Sequence, residues 1–206
     1  MLGQFERLLT TVPFSASRPG LAELVIRSAA PSETALIELD LRGQGVGIAA
    51  VIALAREHQH ADSSYEVHAH WDLWEYDLDS SCWAARPQPM EILCQGADYD
   101  SGACAANGHF QVGMGFEHFF TGHAGLLGVR AAAAPVPQHP AEAAFLTAMA
   151  APEKLREYHQ KTLENIERLL DWLRAAEEAL PVERLQLWSE GEENFEARLD
   201  EILAVR

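Results

Sequence analysis

The stretch that decides the fold runs Ser64-Tyr65-Glu66-Val67-His68-Ala69-His70-Trp71-Asp72-Leu73-Trp74-Glu75-Tyr76-Asp77-Leu78. As far as Leu73 it alternates between apolar and polar residues, which is typical of a strand whose two faces meet different environments. The apolar side holds Tyr65, Val67, Ala69, Trp71 and Leu73, and the polar side holds Glu66, His68, His70 and Asp72. Beyond Leu73 the alternation breaks, because Trp74 and Tyr76 fall on the polar side. The pattern therefore predicts that the strand twists out of the sheet or reaches a rim there.

The composition is that of a globular protein with a large excess of acids. Of the 206 residues, 48% are hydrophobic and 22% are charged, which argues against a disordered chain. The formal charge is −16, from 31 acidic and 15 basic residues. Binding to nucleic acid needs clustered Lys and Arg, so the charge argues against a nucleic-acid partner. Eleven acids and a single base, Arg86, lie between Glu57 and Glu117.

The cysteines and the apolar runs bear on the cellular compartment. Cys82, Cys94 and Cys104 match no zinc spacing, and an odd number cannot all pair, so they predict free thiols in a reducing cytoplasm. Residues 1–7 lack a basic region followed by an apolar core, and the longest apolar-rich run, 46–55, is far short of a membrane span. We expect a soluble cytoplasmic protein that does not contact a membrane.

Further patterns predict an α+β fold with an antiparallel or mixed sheet over about residues 21–120. Residues 21–27 and 34–42 alternate as two strands and predict a hairpin with one wet face, and residues 46–58 predict a helix packed on the sheet. Three more strand patterns occupy residues 82–85, 91–96 and 109–119. Pro87 and Pro89 limit the connection between the first two of these to a sheet edge.

The predicted domain organisation is an α+β domain at 1–130, a linker at 131–140 rich in Ala and Pro, and a helical segment at 141–206. Pro152 fits the start of the longest helix, whose apolar stripe continues to Ala176 at spacings of three to four residues. The stripe either packs on the sheet or pairs with a second copy of the chain as a homodimer, and the sequence leaves both open.

A glycine-rich turn, Arg42-Gly43-Gln44-Gly45-Val46-Gly47, joins the second strand to the first packed helix. Bare backbone N–H groups ahead of a helix N-terminus can hold a phosphate. Arg42-x-x-Gly45-x-Gly47 resembles the acetyl-CoA pyrophosphate loop of the GNAT acetyltransferases, over residues 41–54. The resemblance implies that amides of Gly43, Gly45 and Gly47 hold the pyrophosphate of that cofactor. The structural alternative is a turn that lets the helix pack closely on the sheet.

His68 and His70 stand on one strand face, about 7 Å apart. Histidines so placed can reach one divalent metal ion, with a carboxylate completing the shell. The candidate ligands are His68, His70, Asp72 and Glu117, with Asp72 or Glu117 as third ligand or general base. If neighbouring strands are in register, further candidates for the shell are Glu38, Asp40, Glu66, Glu91 and His109. An exposed strand face that happens to hold histidines is the alternative. No sequence motif assigns catalytic residues.

The acidic excess and the missing catalytic motifs favour a protein-binding function over a metal-dependent enzyme. Immunity proteins, inhibitors and adaptors illustrate the type, in which an acidic sheet face binds a basic protein partner. The candidate contact residues are Glu66, His68, His70, Asp72, Trp74 and Tyr76. Aromatic side chains beside the acids, Trp71 among them, would anchor the partner.

Overall fold

The computed structural model describes residues 1–123, 126–127, 137 and 139–205. Within these residues five strands form one antiparallel sheet, in the order β2-β1-β3-β4-β5. The strands are β1 (Leu21–Ser28), β2 (Ile37–Asp40), β3 (Ser63–Asp77), β4 (Cys82–Gln95) and β5 (Phe110–Gly113). The predicted α+β class with an antiparallel sheet is confirmed.

Helices precede, separate and follow the strands along the chain. They are α1 (Leu2–Thr10), α2 (Ile48–Glu57), α3 (Cys104–Asn107), α4 (His118–Thr121), α5 (Pro140–Met149), α6 (Pro152–Ala179) and α7 (Phe195–Ala204), and a 3₁₀ turn spans Tyr99–Gly102. α6 begins at the predicted proline. Among the described residues, no helix has both the length and the apolar character that crossing a membrane requires.

The chain divides into two compact units. The first consists of Met1–Asp72, Pro87–Gly115 and Ala175–Pro181, and the second of Leu73–Arg86, Phe116–Arg174 and Val182–Arg206. The division within β3 follows Asp72, next to the point where the alternation of the sequence breaks. The predicted linker at 131–140 falls largely outside the described residues, which omit 128–136 and 138. The predicted domain boundaries and the homodimer stay predictions.

In the first unit, helices cover the apolar side of the sheet. α2 packs against α1 and β1, and the ring of Phe5 on α1 stacks on that of Phe110 on β5 with centroids 6.2 Å apart. The largest fully buried side chains of this unit are Phe5, Leu9, Leu24, Ile26, Ile52, Tyr65, Trp71, Met90 and Ile92. Burial of each contributes about 1.5–3 kcal/mol, so this layer is the main source of its stability.

Several strand predictions were wrong in extent. The predicted strand 34–42 shortens to Ile37–Asp40, at the sheet edge, where Leu39 is 39% exposed. The predicted strand 109–119 shortens to Phe110–Gly113, and α4 begins at His118. The predicted break at Pro87 and Pro89 does not occur, and β4 is continuous. Both prolines precede Glu91, where the pairing of β4 with β5 begins. Neither proline therefore removes a hydrogen bond from that pairing.

In the second unit, α7 is fixed by a buried arginine. The guanidinium of Arg198, 4% exposed, donates to the carbonyl oxygens of Thr121 at 3.3 Å and Leu127 at 2.6 Å. It also pairs with Glu201 at 2.7 Å. These bonds compensate part of the buried charge and hold α7 beside the end of α4, while Nε of Arg198 has no hydrogen-bond partner among the described residues.

Candidate functional sites in the two units

The two sides of β3 differ as the sequence predicts. Its apolar side chains, from Tyr65 to Leu73, are between 0 and 1% exposed. The polar side chains between them are half-buried. Strand periodicity alone places the polar groups of β3 together, because every second side chain points to the same face.

A charged cluster lies on the polar side, centred on Glu66 and His68. Nε2 of His68 lies 2.5 Å from one carboxylate oxygen of Glu66, and Arg27 donates to the other at 2.9 Å. Nδ1 of His68 lies 3.7 Å from Glu23 on β1. The hydrogen bond with Glu66 raises the pKa of His68, and the same bond lowers the pKa of Glu66. The pair is therefore stabilised in its charged form.

Glu91 on β4 completes a group that can hold a metal ion. One ligand atom each of Glu66, His68 and Glu91 lies within 4.8 Å of the other two. One imidazole and two carboxylates suit borderline divalent ions such as zinc, manganese or iron. Arg27 and the proton on His68 would compete with such an ion for the same atoms.

The other predicted metal ligands lie in different surroundings. Arg18 donates to Nε2 of His70 at 3.2 Å, and burial, followed by the charge of Arg18, lowers the pKa of His70. Asp72 accepts from the backbone N–H of Ala16 at 2.9 Å. The segment that carries Ala16 and Arg18 thus supplies a hydrogen-bond partner to each of His70 and Asp72. Glu117 belongs to the second unit, where it accepts from the backbone N–H of Gly191 at 3.0 Å.

The polar side also aligns acids from neighbouring strands. Glu23 of β1 pairs in register with Asp40 of β2 and with His68 of β3. Val25 pairs in the same way with Glu38 and Glu66. Paired residues of antiparallel strands project to the same side. We define the acidic face as Glu23, Glu38, Asp40, Glu66 and Glu91.

The glycine turn is organised by Asp40. Its carboxylate accepts from the guanidinium of Arg42 at 2.6 and 2.8 Å, and from the Arg42 backbone N–H at 3.0 Å. Gly43 and Gly45 have φ of +71° and +65°, a region that glycine adopts without strain. Gly47 is the N-cap of α2. The pyrophosphate role of these three glycines stays a prediction.

A cavity of about 650 Å³ lies in the second unit. The distal part of the β3–β4 hairpin, the α4 region, α5 and α6 all contribute to its wall. Its lining includes Trp74 and Tyr76, two of the predicted partner-binding residues. The remaining lining residues are Glu75, Leu78, Trp83, His118, Phe119, His123, His139, Glu142, Phe145, Tyr158, Thr162 and Asn165.

Four aromatic rings of this wall form a continuous cluster. Trp83 contacts Tyr76 and Tyr158, with ring centroids 5.3 and 5.5 Å apart. Phe145 contacts the same two tyrosines, at 6.0 and 5.3 Å. The Trp83 and Tyr158 rings are stacked, and the Phe145–Tyr158 pair meets edge to face. Such contacts stabilise aromatic pairs beyond their area of burial.

Buried hydrogen bonds fix the cavity wall. The side chain of Asn165 on α6 bonds the backbone N–H of Trp74 at 2.8 Å and its carbonyl at 3.1 Å. The backbone N–H of His123 donates to the Tyr158 hydroxyl at 2.6 Å. Burial raises the pKa of Tyr158 to about 12, so the phenol stays neutral at physiological pH.

The histidines that line the cavity lie in different surroundings. Nε2 of His123 lies 3.2 Å from the carboxylate of Glu142. Burial lowers the pKa of His118, which favours its neutral form. Nδ1 of His139 accepts from the backbone N–H of Ala141 and caps α5.

Sequence reasoning did not predict this cavity. The only signal was the position of Trp74 and Tyr76 on the polar side of β3, which was interpreted as an anchor for a partner. The apolar stripe predicted from Pro152 to Ala176 includes Tyr158 and Thr162, which line the cavity in the structure. Comparison with protein-family models, with curated proteins and with solved structures gives no match for this chain.

Proposed function

We propose that this protein binds a basic protein partner through the acidic face of its first unit. The observation that supports the proposal is the register of β2, β1 and β3, which aligns Asp40 with Glu23 and Glu38 with Glu66 on one side of the sheet. Complementary charge of this kind accelerates association and makes it sensitive to salt.

The charge of this face persists over the physiological pH range. The hydrogen bond from Arg42 holds the pKa of Asp40 at about 2, and the bond with His68 lowers the pKa of Glu66. Asp40 is exposed, with 57% of its side chain accessible. Because Arg42 already pairs with Asp40, the negative charge that this edge offers a partner is mainly that of the exposed Glu38.

Charge reversal on β2 tests the proposal. The immobilised protein is exposed to lysate of its source cell at low and high salt, and retained proteins are identified by mass spectrometry. We expect a basic protein that is retained at low salt, released at high salt and lost from the variant Glu38→Lys/Asp40→Lys.

The matched control is Glu183→Lys/Glu190→Lys, which makes the same change in net charge at exposed positions of the second unit. It should retain the partner. Equal loss from both double variants would show that only net charge matters, and capture that survives reversal of Glu38 and Asp40 would refute the acidic face as the binding surface.

A divalent-metal-dependent enzyme is the second candidate, and the proximity of Glu66, His68 and Glu91 favours it. A metal ion held there would polarise a substrate oxygen or activate a water molecule. Calorimetric titration of tag-free protein with Zn²⁺ or Mn²⁺ tests binding. We expect saturable heat that weakens as His68 gains its proton at lower pH. Glu91→Gln should abolish the heat and Glu38→Gln should not; identical titrations of the two variants would exclude this site.

A further inference from the structure

The cavity of the second unit has the size and the walls of a small-molecule site. Its volume of about 650 Å³ falls within the range of cavities that enclose organic ligands. The aromatic residues of its wall include Tyr76, Trp83, Phe145 and Tyr158. The first three are half-buried, so part of the surface of each stays accessible to a ligand.

The rings of this aromatic cluster meet at large angles. The plane of Phe145 is inclined by 69° to that of Tyr76 and by 88° to that of Tyr158. Trp83 is inclined by 58° to Tyr76. Rings at such angles form a corner, in which one group can contact more than one ring. Because the face of an aromatic ring is the negative part of its quadrupole, a corner of this kind favours a cation.

A carboxylate lies beside the aromatic cluster. Glu142 precedes Phe145 by three residues on α5, a spacing that places both side chains on one side of the helix. The ring of His123 contacts both, because its Nε2 lies 3.2 Å from the Glu142 carboxylate and its centroid lies 5.7 Å from that of Phe145. The Glu142 side chain is 21% exposed, so water screens its charge less than that of a surface carboxylate.

The described wall of the cavity carries net negative charge. Glu75 and Glu142 line it, and the described lining residues include no Lys or Arg. Nδ1 of His139 accepts a backbone N–H, so that nitrogen holds no proton and the ring is neutral. Burial lowers the pKa of His118 and favours its neutral form. Even with His123 protonated, the wall keeps an excess of negative charge, which attracts a cation and repels an anion.

We propose that this cavity binds an organic cation that carries a methylated ammonium group. The methyl groups contact the rings of the aromatic cluster, and the positive charge lies near the carboxylate of Glu142. Aromatic cages bind quaternary ammonium groups in this way. A primary ammonium has three donors that each need an acceptor, whereas Glu142 already shares its carboxylate with His123. Methylation removes these donors and thereby lowers the cost of entering an aromatic wall.

Trp74 also lines the cavity but is not one of the proposed contacts. Cations of the chain already lie over its ring, with Nζ of Lys161 at 3.7 Å and the guanidinium of Arg168 at 5.6 Å from the ring centroid. Lys161 pairs in turn with Glu164 at 3.1 Å, which offsets its charge. The Trp74 ring therefore shows the same kind of contact that the ligand would make with the other rings.

Four small probes separate the contributions of charge, methylation and shape. Choline carries a trimethylammonium group, and tert-butylethanol replaces that group with a neutral one of the same shape. Ethanolamine carries a primary ammonium, and pivalate is an anion with a tert-butyl group. The affinity of each for the full chain is measured by titration of ¹H–¹⁵N spectra at low salt. We expect choline to bind about tenfold more tightly than either tert-butylethanol or ethanolamine, and pivalate to bind most weakly.

Two variants locate the bound cation. Glu142→Gln keeps the shape of the side chain but removes its charge, and Trp83→Leu removes a ring but keeps an apolar side chain. Each should weaken choline binding about threefold or more and change that of tert-butylethanol less. The matched controls are Glu183→Gln and Trp188→Leu, at exposed positions outside the cavity lining, and they should leave choline affinity unchanged.

The wild-type protein keeps the test decisive if a cavity variant does not fold. Nuclear Overhauser effects should connect the methyl protons of bound choline to ring protons of Trp83 and Phe145, and not to those of Trp188. Equal affinity for choline and tert-butylethanol would overturn the proposal, as would ethanolamine or pivalate binding as tightly as choline. Choline contacts that miss the cavity rings, cavity variants that bind choline as the controls do, or the absence of choline binding would also overturn it.

Discussion

Asn165 binds both backbone polar groups of Trp74 with one side-chain amide. Its Oδ1 accepts from the Trp74 N–H at 2.8 Å, and its Nδ2 donates to the Trp74 carbonyl at 3.1 Å. The same Nδ2 donates to the carbonyl of Phe119 at 3.1 Å. Asn165 is 2% exposed, so water cannot readily replace these bonds. One residue of α6 thus fixes two other parts of the cavity wall.

Removal of this amide should destabilise the protein. Asn165→Ala removes the partner of the Trp74 N–H and of the carbonyl groups of Trp74 and Phe119, and we expect a loss of about 2–4 kcal/mol in the free energy of unfolding. Urea denaturation followed by tryptophan fluorescence measures it. The control Asn107→Ala, at an exposed position, should change stability by less than about 0.5 kcal/mol. Similar small effects of the two substitutions would contradict the role assigned to Asn165.

Trp71 should be a major source of stability in the first unit. Its side chain is 1% exposed, on the apolar side of β3. Trp71→Ala leaves a large cavity, and we expect a cost of about 3–5 kcal/mol and little soluble protein. Trp188→Ala, where the side chain is 70% exposed, should cost less than about 0.5 kcal/mol. Calorimetric melting compares the two variants. A Trp71→Ala protein as stable as the control would contradict the burial of Trp71 in the core of the first unit.

Gly96 lies where a side chain cannot be accommodated. A Cβ atom added there would collide with the backbone carbonyl of Ala61, and Gly96 N–H also bonds the carbonyl of Ser63 at 2.8 Å. We expect Gly96→Ala to lower the free energy of unfolding by about 1–3 kcal/mol, since a backbone segment must move to accept the methyl group.

Gly3 gives the opposite control for the same substitution. It lies in helix α1, and a Cβ atom there would meet nothing within 4 Å. Gly3→Ala should therefore leave stability unchanged or raise it by up to about 1 kcal/mol, because alanine favours the helix. Chemical denaturation of both variants measures the difference, and an equal effect of the two would rule out a close approach at Gly96.

The sequence predicted those features that depend on periodicity. Alternation from Tyr65 to Leu73 identified the buried and polar sides of β3, because a strand forces neighbouring side chains to opposite faces. The break after Leu73 lies beside the start of the second unit at Leu73, whereas β3 itself continues to Asp77, so the predicted twist or rim stays a prediction. Pro152 marked the start of α6 because its fixed φ suits a first helical position.

Contacts between distant segments could not be predicted in this way. Nothing in the pattern around His70 shows that Arg18 binds its ring, or that Asn165 bonds a strand 91 residues earlier in the chain. Such bonds depend on which loops and helices come to lie beside a strand. The sequence indicated Glu91 as a ligand only if its strand were a neighbour in register, and the sheet order supplies that condition.

The His68–Glu66 pair should make stability depend on pH in a defined window. The pKa of His68 is raised above its ordinary 6.5, so its contribution is complete below that value and is lost as pH rises through the folded-state pKa. The pKa of Glu66 is lowered below its ordinary 4.5, so its contribution is complete above that value and is lost as pH falls. Glu23, Glu91 and Arg27 also face this pair, but the nearest groups to His68 are carboxylates, which favour its charged form.

The difference in free energy of unfolding between wild type and His68→Gln should therefore be largest between about pH 4.5 and 6.5 and should decrease toward pH 9. Urea denaturation at pH 5.5, 7 and 8.5 measures it, with His60→Gln, at an exposed position, as a control whose difference should change little. A difference that grows with pH would mean that His68 is neutral in the folded protein, and the charged pair would have to be abandoned.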